Sequence, residues 1–284
     1  MKNNIFHRTF LFVLFLVCSM AVFLLGPKHY PLFPTNGNMI YVGSLTVVLL
    51  VAALLLKRSE KLSKYWLIIY AFFVASFVNL ITILFGGYNN VVMQWFATNT
   101  DTNKGQAISK IYEMLMVVIP ILALTWASGA DLGSLFLKKG NQDHNWGWGI
   151  GLLVLINYLT SVLIFFGNGY EASKLGSAII WGAVFSFSNS FLEELWIRGL
   201  FLKKLIPLIG VTGAVLLTSI TFATLHFLGV AYLPATVVPI FVVNTFTLGL
   251  VCSILILKTD SVWGAFLIHA AADWFLFIAI LAVH

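Results

Sequence analysis

Residues 38–56 read NMIYVGSLTVVLLVAALLL, nineteen positions without a charged side chain. A helix rises about 1.5 Å per residue, so roughly twenty apolar residues cross the hydrocarbon core of a bilayer. Runs of this kind recur along nearly the whole chain of 284 residues. Hydrophobic residues make up 60% of it and charged ones 9%, against roughly 25% charged in a soluble domain. A soluble core could not hide that much apolar surface, whereas lipid can. Lipid also offers no partner to backbone amides, so the spans must be helices rather than open strands. The expected fold is all-α, a polytopic membrane helical bundle.

Outward from that run, about nine spans follow: 8–26, 38–56, 65–85, 108–128, 147–167, 175–203, 210–228, 236–257 and 262–282. The first is expected to be a retained helix, because Gly26-Pro27-Lys28 ends it and no small-x-small cleavage site follows. Connections are short except Gly86 to Ala107, which carries Asn89, Asn90, Asn99, Asp101 and Asn103 and reads as an exposed loop. With the N-terminus cytoplasmic, that side collects Lys2, Arg8, Lys57, Arg58, Lys61, Lys64, Lys138, Lys139, Arg198, Lys203, Lys204 and Lys258. The other side keeps Lys28, Lys104, Lys110 and Lys174. This asymmetry of twelve to four follows the positive-inside rule and predicts N-in, C-out.

Local markers agree with these spans. Tyr65 and Trp66 follow the basic loop Lys57 to Lys64, and Trp146 and Trp148 open the fifth span, where aromatic belts lie. Gly147 and Gly151 have the small-xxx-small spacing that lets helices approach closely. Cys18 and Cys252 lie inside apolar runs, so no disulfide framework is indicated. The net charge of +6 sits in short loops, which points away from nucleic acid. No internal repeat is visible, which counts against a transporter built from inverted halves.

Ionisable residues at bilayer depth cost from about 2.5 kcal/mol upward each. Most of the chain avoids them, and the last third does not. In Phe185-Ser-Phe-Ser-Asn-Ser-Phe-Leu-Glu-Glu-Leu-Trp-Ile-Arg198, the adjacent Glu193 and Glu194 fall about 100° apart on a helix. Glu194 and Arg198 stand at i, i+4 and can pair. Glu193 shares a stripe with Asn189 and Ser190 and is left for base chemistry. The plainer reading is a Glu–Arg clasp near a helix end. Phe222 and His226 share a face of the seventh span, and His269 and Asp273 share a face of the ninth. Either histidine alone could be a hydrogen-bonded packing residue. Asn244 in the eighth span reads as a hydrogen bond across the bundle, and Glu113 with Lys110 as an interface pair. Three helices that each place ionisable groups in apolar sequence can activate a water and hold an oxyanion if they share one cavity. They can also bind a metal.

In order and spacing, Glu193-Glu194-x-x-x-Arg198, Phe222-x-x-x-His226 and His269-x-x-x-Asp273 resemble the CPBP family. Its members are the CAAX prenyl endopeptidases of the Ras-converting type and bacterial bacteriocin-processing and immunity proteins. The resemblance covers about residues 175–282 and includes the 33-residue gap from Glu193 to His226. The last position is Asn in some members and Asp in others. The division implied is 1–172, membrane helices without motif, and 173–284, a CAAX-endopeptidase-like catalytic domain. The resemblance implies an intramembrane endopeptidase in which Glu193 with His226 activates the attacking water, and His269 and Asp273 stabilise the oxyanion. Glu194 and Arg198 would brace the helix. An ionised Asp273 cannot donate a hydrogen bond, so it would be protonated or would orient His269.

No cofactor is expected in preference to one zinc ion, whose ligands would be Glu193, His226 and His269. The expected partners are a peptide or protein substrate, lipidated or otherwise membrane-bound, and membrane lipid, in the plasma membrane of a bacterium. Peptide maturation or bacteriocin self-immunity would be the role. A proton- or ion-coupled transporter and a non-enzymatic immunity or scaffold protein are the alternatives. Depth sets one condition on a shared site. Glu193 and His269 stand roughly 12–15 Å from the cytoplasmic ends of their spans, whereas His226 is near the far end of its own. The sixth helix must therefore continue past Lys204, with the turn at Pro207 to Gly210 below the bilayer.

Overall fold

The computed structural model describes residues 2–26, 35–86, 91–141, 145–166, 172–227 and 238–283, and among these it is helical with no strand. Helix α1 (Lys2–Ser19) closes in a π turn (Met20–Leu24), and α2 is Thr35–Arg58. A 3₁₀ turn leads into α3 (Trp66–Phe85), and a short α4 (Val91–Trp95) precedes α5 (Asn103–Ala127). Then come α6 (Asn145–Phe166), α7 (Ala172–Glu193), a second π turn (Glu194–Gly199), α8 (Leu200–Phe227), α9 (Val238–Thr259) and α10 (Trp263–Val283).

Six helical segments among the described residues are long and apolar enough to cross a bilayer: Ile5–Leu24, Gly37–Arg58, Ser63–Phe85, Asn103–Ala127, Ser173–His226 and Val238–Thr259. Two apolar helices are shorter, Ile150–Val162 and Trp263–Ile278. Apolar side chains such as Leu55, Leu153 and Ile180 stand exposed along these helices, as they should where lipid is the solvent. The expected all-α polytopic bundle is what the chain forms.

The stretch read as one long loop is partly ordered as helix. Thr102 caps α5 by accepting the amide of Gly105 at 3.0 Å, so that helix starts at Asn103, five residues before the expected 108. Lys28, Asn89, Asn90 and the side chain of Trp146 lie outside the described residues.

The segment Ser173–His226 bends back on itself. Gly210 has φ 79° and ψ 169°, which breaks α8 into two arms, and positive φ suits a residue without Cβ. The helix does continue past Lys204 before this turn. Gly210 lies 17 residues after Glu193, and His226 lies 16 residues after Gly210. The arms are thus nearly equal, each roughly 25 Å, and the hairpin returns His226 to the level of Glu193.

One end of the bundle is pinned by the segment after α5. Asp131 caps a 3₁₀ turn (Leu132–Leu135), accepting from the amide of Ser134 at 2.9 Å. The amide of Val262 donates to the carbonyl of Phe136 at 3.0 Å, and that of Asn141 to the carbonyl of Thr259 at 2.7 Å. Lys203 donates to the carbonyl of Gly133, and Lys138 pairs with Asp260. At Gly140, φ is +77°, and a Cβ there would sit 2.5 Å from that of Ser261. The guanidinium of Arg8 lies beside Gly210, and His7 meets Tyr65 at 3.2 Å. Two clamps thus each join chain segments far apart in sequence.

On the inner face of α1 to α3, Phe23 packs on Trp196 and Phe201 with ring centroids 5.1 and 5.7 Å apart, and Phe72 packs on Phe201 at 4.8 Å. Aromatic faces of the N-terminal helices therefore back the second π turn, which carries the polar residues.

Candidate active site

The second π turn starts at Glu194, immediately after Glu193. A π turn widens the helix by one residue, and such bulges are frequent at functional sites. All of Glu194 to Gly199 is buried. At Gly199 a Cβ would lie 3.2 Å from the carbonyl oxygen of Leu135, so the 3₁₀ turn supports the π turn directly.

His269 stands between the two carboxylates. Its Nδ1 is 2.8 Å from Glu194 Oε1, and its Nε2 is 3.5 Å from Glu193 Oε2. The expected divergence of the two glutamates is real, but they diverge around one imidazole and address its opposite nitrogens. Arg198 also donates to Glu194 Oε1, at 2.8 Å, and both side chains are wholly buried. Glu194 therefore holds two groups, of which sequence spacing gave one. The second, His269, comes from a helix 75 residues away, where no local periodicity can reach.

His226 approaches from the other side. Its Nε2 is 3.9 Å from Glu193 Oε2. Its Nδ1 is 2.9 Å from the carbonyl oxygen of Phe222. A carbonyl only accepts, so Nδ1 carries a proton, and in the neutral ring Nε2 is a bare acceptor turned towards Glu193. The condition set by depth is met: Glu193 and His226 are neighbours.

Asp273 completes the group. Its Oδ2 accepts from Asn189 Nδ2 at 2.8 Å and from Ser190 Oγ at 3.1 Å, and its Oδ1 is 3.6 Å from His269 Nε2. Asn189 and Ser190 were legible as a polar stripe, but they serve Asp273 rather than Glu193. Phe222 fills the space between the charges. Its ring lies 4.0 Å from the Arg198 guanidinium carbon, 4.4 Å from the His226 ring and 5.3 Å from the His269 ring. Arg198 Nε and Nη2 have no hydrogen-bond partner, and the aromatic face offers their charge a cation–π contact instead. Gly249 makes room for that guanidinium, since a Cβ there would be 3.2 Å from Nη2.

Asn244 is placed elsewhere. It donates to Ser161 Oγ at 2.7 Å and ties α9 to α6, as a cross-bundle hydrogen bond. Glu113 pairs with Lys110 at 2.7 Å on α5.

Glu193 Oε2 and His269 Nε2 are buried and make no hydrogen bond. Such atoms are rare in folded proteins, because a buried polar group without a partner is costly. Here they face each other across a gap of 3.5 Å, with a third polar atom, His226 Nε2, 3.9 Å from the Glu193 oxygen. As to a metal, no group of three His, Cys, Asp or Glu with ligand geometry occurs among the described residues. The chemistry is therefore derived from the side chains themselves.

Residues 175–275 match the family model described as type II CAAX prenyl endopeptidase Rce1-like. No curated protein and no solved structure gives a significant match. The matched stretch contains Glu193, Glu194, Arg198, Phe222, His226, His269 and Asp273. This integral membrane protein thus carries, across residues 175–275, an Rce1-like domain of the CAAX prenyl endopeptidase type, consistent with a protease of the CPBP family.

Proposed function

We propose that the protein is an intramembrane endopeptidase that hydrolyses a peptide bond with water activated by Glu193. The observation that carries this reading is the unpartnered Glu193 Oε2, buried 3.5 and 3.9 Å from the Nε2 atoms of two histidines. A water between Glu193 and His226 would give one proton to the carboxylate while bare His226 Nε2 accepts its other hydrogen bond. The water oxygen bonds to the scissile carbonyl carbon, and the carbonyl oxygen becomes an oxyanion. His269, protonated on both nitrogens in this scheme, gives Nδ1–H to Glu194 and turns Nε2–H to that oxyanion. Glu193 then passes its proton to the leaving amine as the C–N bond breaks. The products are a new carboxyl terminus and a new amino terminus.

Asp273 acts in this scheme by orienting His269. With Asn189 and Ser190 both donating to it, it behaves as a carboxylate acceptor rather than as a donor. Glu194, itself held by Arg198, fixes the position of His269 by accepting from its Nδ1. The catalytic part is residues 173–284, in a bundle of nine spans with the N-terminus cytoplasmic. The substrate is a membrane-bound peptide or protein, lipidated ones included, and the setting is a bacterial plasma membrane, in peptide maturation or self-immunity.

The test compares protein termini in membranes holding wild type or Glu193→Gln at equal abundance. New termini that depend on Glu193 are expected. If the two sets of termini coincide while Glu193→Gln still loses the cellular phenotype, the buried carboxylate serves ion coupling or binding instead.

A further inference from the structure

Arg198 and His269 meet at one atom. Arg198 Nη1 donates to Glu194 Oε1 at 2.8 Å, and His269 Nδ1 stands 2.8 Å from the same oxygen. A guanidinium is planar and rigid, so a shift at one of its nitrogens carries the others with it. Whatever fixes the far end of Arg198 therefore also bears on His269, whose Nε2 faces Glu193 at 3.5 Å.

That far end is Nη2, and it lies against α9 at Gly249. A Cβ on Gly249 would stand 3.2 Å from Nη2, 3.1 Å from Ser219 Cα and 3.2 Å from Ser219 Cβ. These gaps are shorter than the roughly 3.5–4.0 Å at which non-bonded carbon atoms rest. An exposed arginine would swing aside, but Arg198 is hemmed in. It is wholly buried, its guanidinium carbon is 4.0 Å from the Phe222 ring centroid, and Nη1 is engaged by Glu194. Helix α9 is also held to α8 one turn away. Thr218 Oγ1 and Ser253 Oγ are 3.2 Å apart across the two helices, and Ser253 Oγ donates to the carbonyl of Gly249 at 2.8 Å. A close-packed interior of this kind passes strain on to its neighbours.

We propose that Gly249 is a positioning residue for the reaction: its missing Cβ lets Arg198 hold Glu194, and through Glu194 hold His269, at the place from which Nε2 serves the oxyanion. This rests on the endopeptidase reading and deepens it. Gly249 touches no reacting atom and acts through the chain Arg198, Glu194, His269. The reaction thereby gains a determinant on α9, a helix from which the proposed mechanism takes no side chain.

The experiment follows the wild-type-specific termini over time in membranes holding wild type, Gly249→Ala, Arg198→Lys, Glu193→Gln and the combinations named below, at equal abundance. Gly249→Ala is expected to slow the termini about tenfold, since a misplacement of 1 Å can cost about 10²-fold. Lysine at 198 keeps a cation for Glu194 and has no Nη2 for the methyl to meet. Gly249→Ala added to Arg198→Lys is therefore expected to cause no further loss. Ser219→Gly, which relieves the contact between α8 and α9 and leaves that with Nη2, is expected not to restore Gly249→Ala. Capture of uncleaved precursor by Glu193→Gln is expected to survive the added Gly249→Ala. A wild-type rate with Gly249→Ala overturns the role of Gly249, and so does an equal loss with and without Arg198→Lys. Recovery through Ser219→Gly overturns it too, because the methyl would then act on helix spacing. Loss of precursor capture also overturns it, since Gly249 would then act in binding or folding. If Arg198→Lys cleaves nothing, the Ser219→Gly and capture arms decide. Termini unaffected by Glu193→Gln overturn the protease reading itself.

Discussion

In α2 and α3, Thr46 donates to the carbonyl of Val42 and meets Ser76 at 2.8 Å, and Asn79 donates to the carbonyl of Val22 at 2.8 Å. These buried side chains are uncharged and satisfied, with Asn38 Oδ1 left over. In α7 to α10, an equally buried set consists of Glu194, Arg198, His269 and Asp273, with the half-buried Glu193 beside it, and polar atoms of Glu193, Glu194, Arg198 and His269 have no hydrogen-bond partner. The difference separates two uses of polarity in lipid. Neutral hydrogen bonds fasten helices at small cost, whereas unsatisfied ionisable groups persist at a cost that packing must offset. The first region is built for cohesion and the second for chemistry.

That contrast can be broken most sharply at Arg198. Arg198→Met leaves Glu194 buried without its cation and is expected to remove about 3–5 kcal/mol of stability. Adding Glu194→Gln should recover most of that loss, because a neutral pair needs no compensation. The measurement is unfolding of the detergent-solubilised protein by a denaturing detergent. A single change costing under about 1 kcal/mol would contradict the reading of this pair as a tightly coupled charge cluster.

A smaller effect is expected in the N-terminal region. Asn79→Ala removes one interhelical hydrogen bond and should cost about 0.5–1.5 kcal/mol, with the rate of substrate cleavage unchanged at equal abundance. A change in that rate would mean the cohesive helices also tune the site. Smallest of all in stability is Glu193→Gln. Its Oε2 has no hydrogen bond to lose, so unfolding should shift by at most about 0.5 kcal/mol, while cleavage falls by a factor of at least about 10². A large loss of stability would place Glu193 in the scaffold instead.

What could be read from sequence follows the length scale of the reading. Glu194 with Arg198 and Phe222 with His226 were visible because a helix repeats every 3.6 residues and sets i, i+4 neighbours by itself. The return of His226 to Glu193 was visible as a condition on helix length, and Gly210 meets it. The bond from His269 to Glu194 was not visible, nor the service of Asn189 and Ser190 to Asp273, because these partners lie 75 to 84 residues apart.

Composition and periodicity by themselves determined that the chain is a bundle of membrane helices, and which of those helices carry ionisable residues. Apolar content and helical repeat are properties of short segments, and lipid enforces their outcome. Only the tertiary structure decided which nitrogen of His269 faces which glutamate, and that the Phe222 ring touches Arg198 and both histidines. Those relations depend on how distant helices cross and pack, and not on the repeat of any one helix.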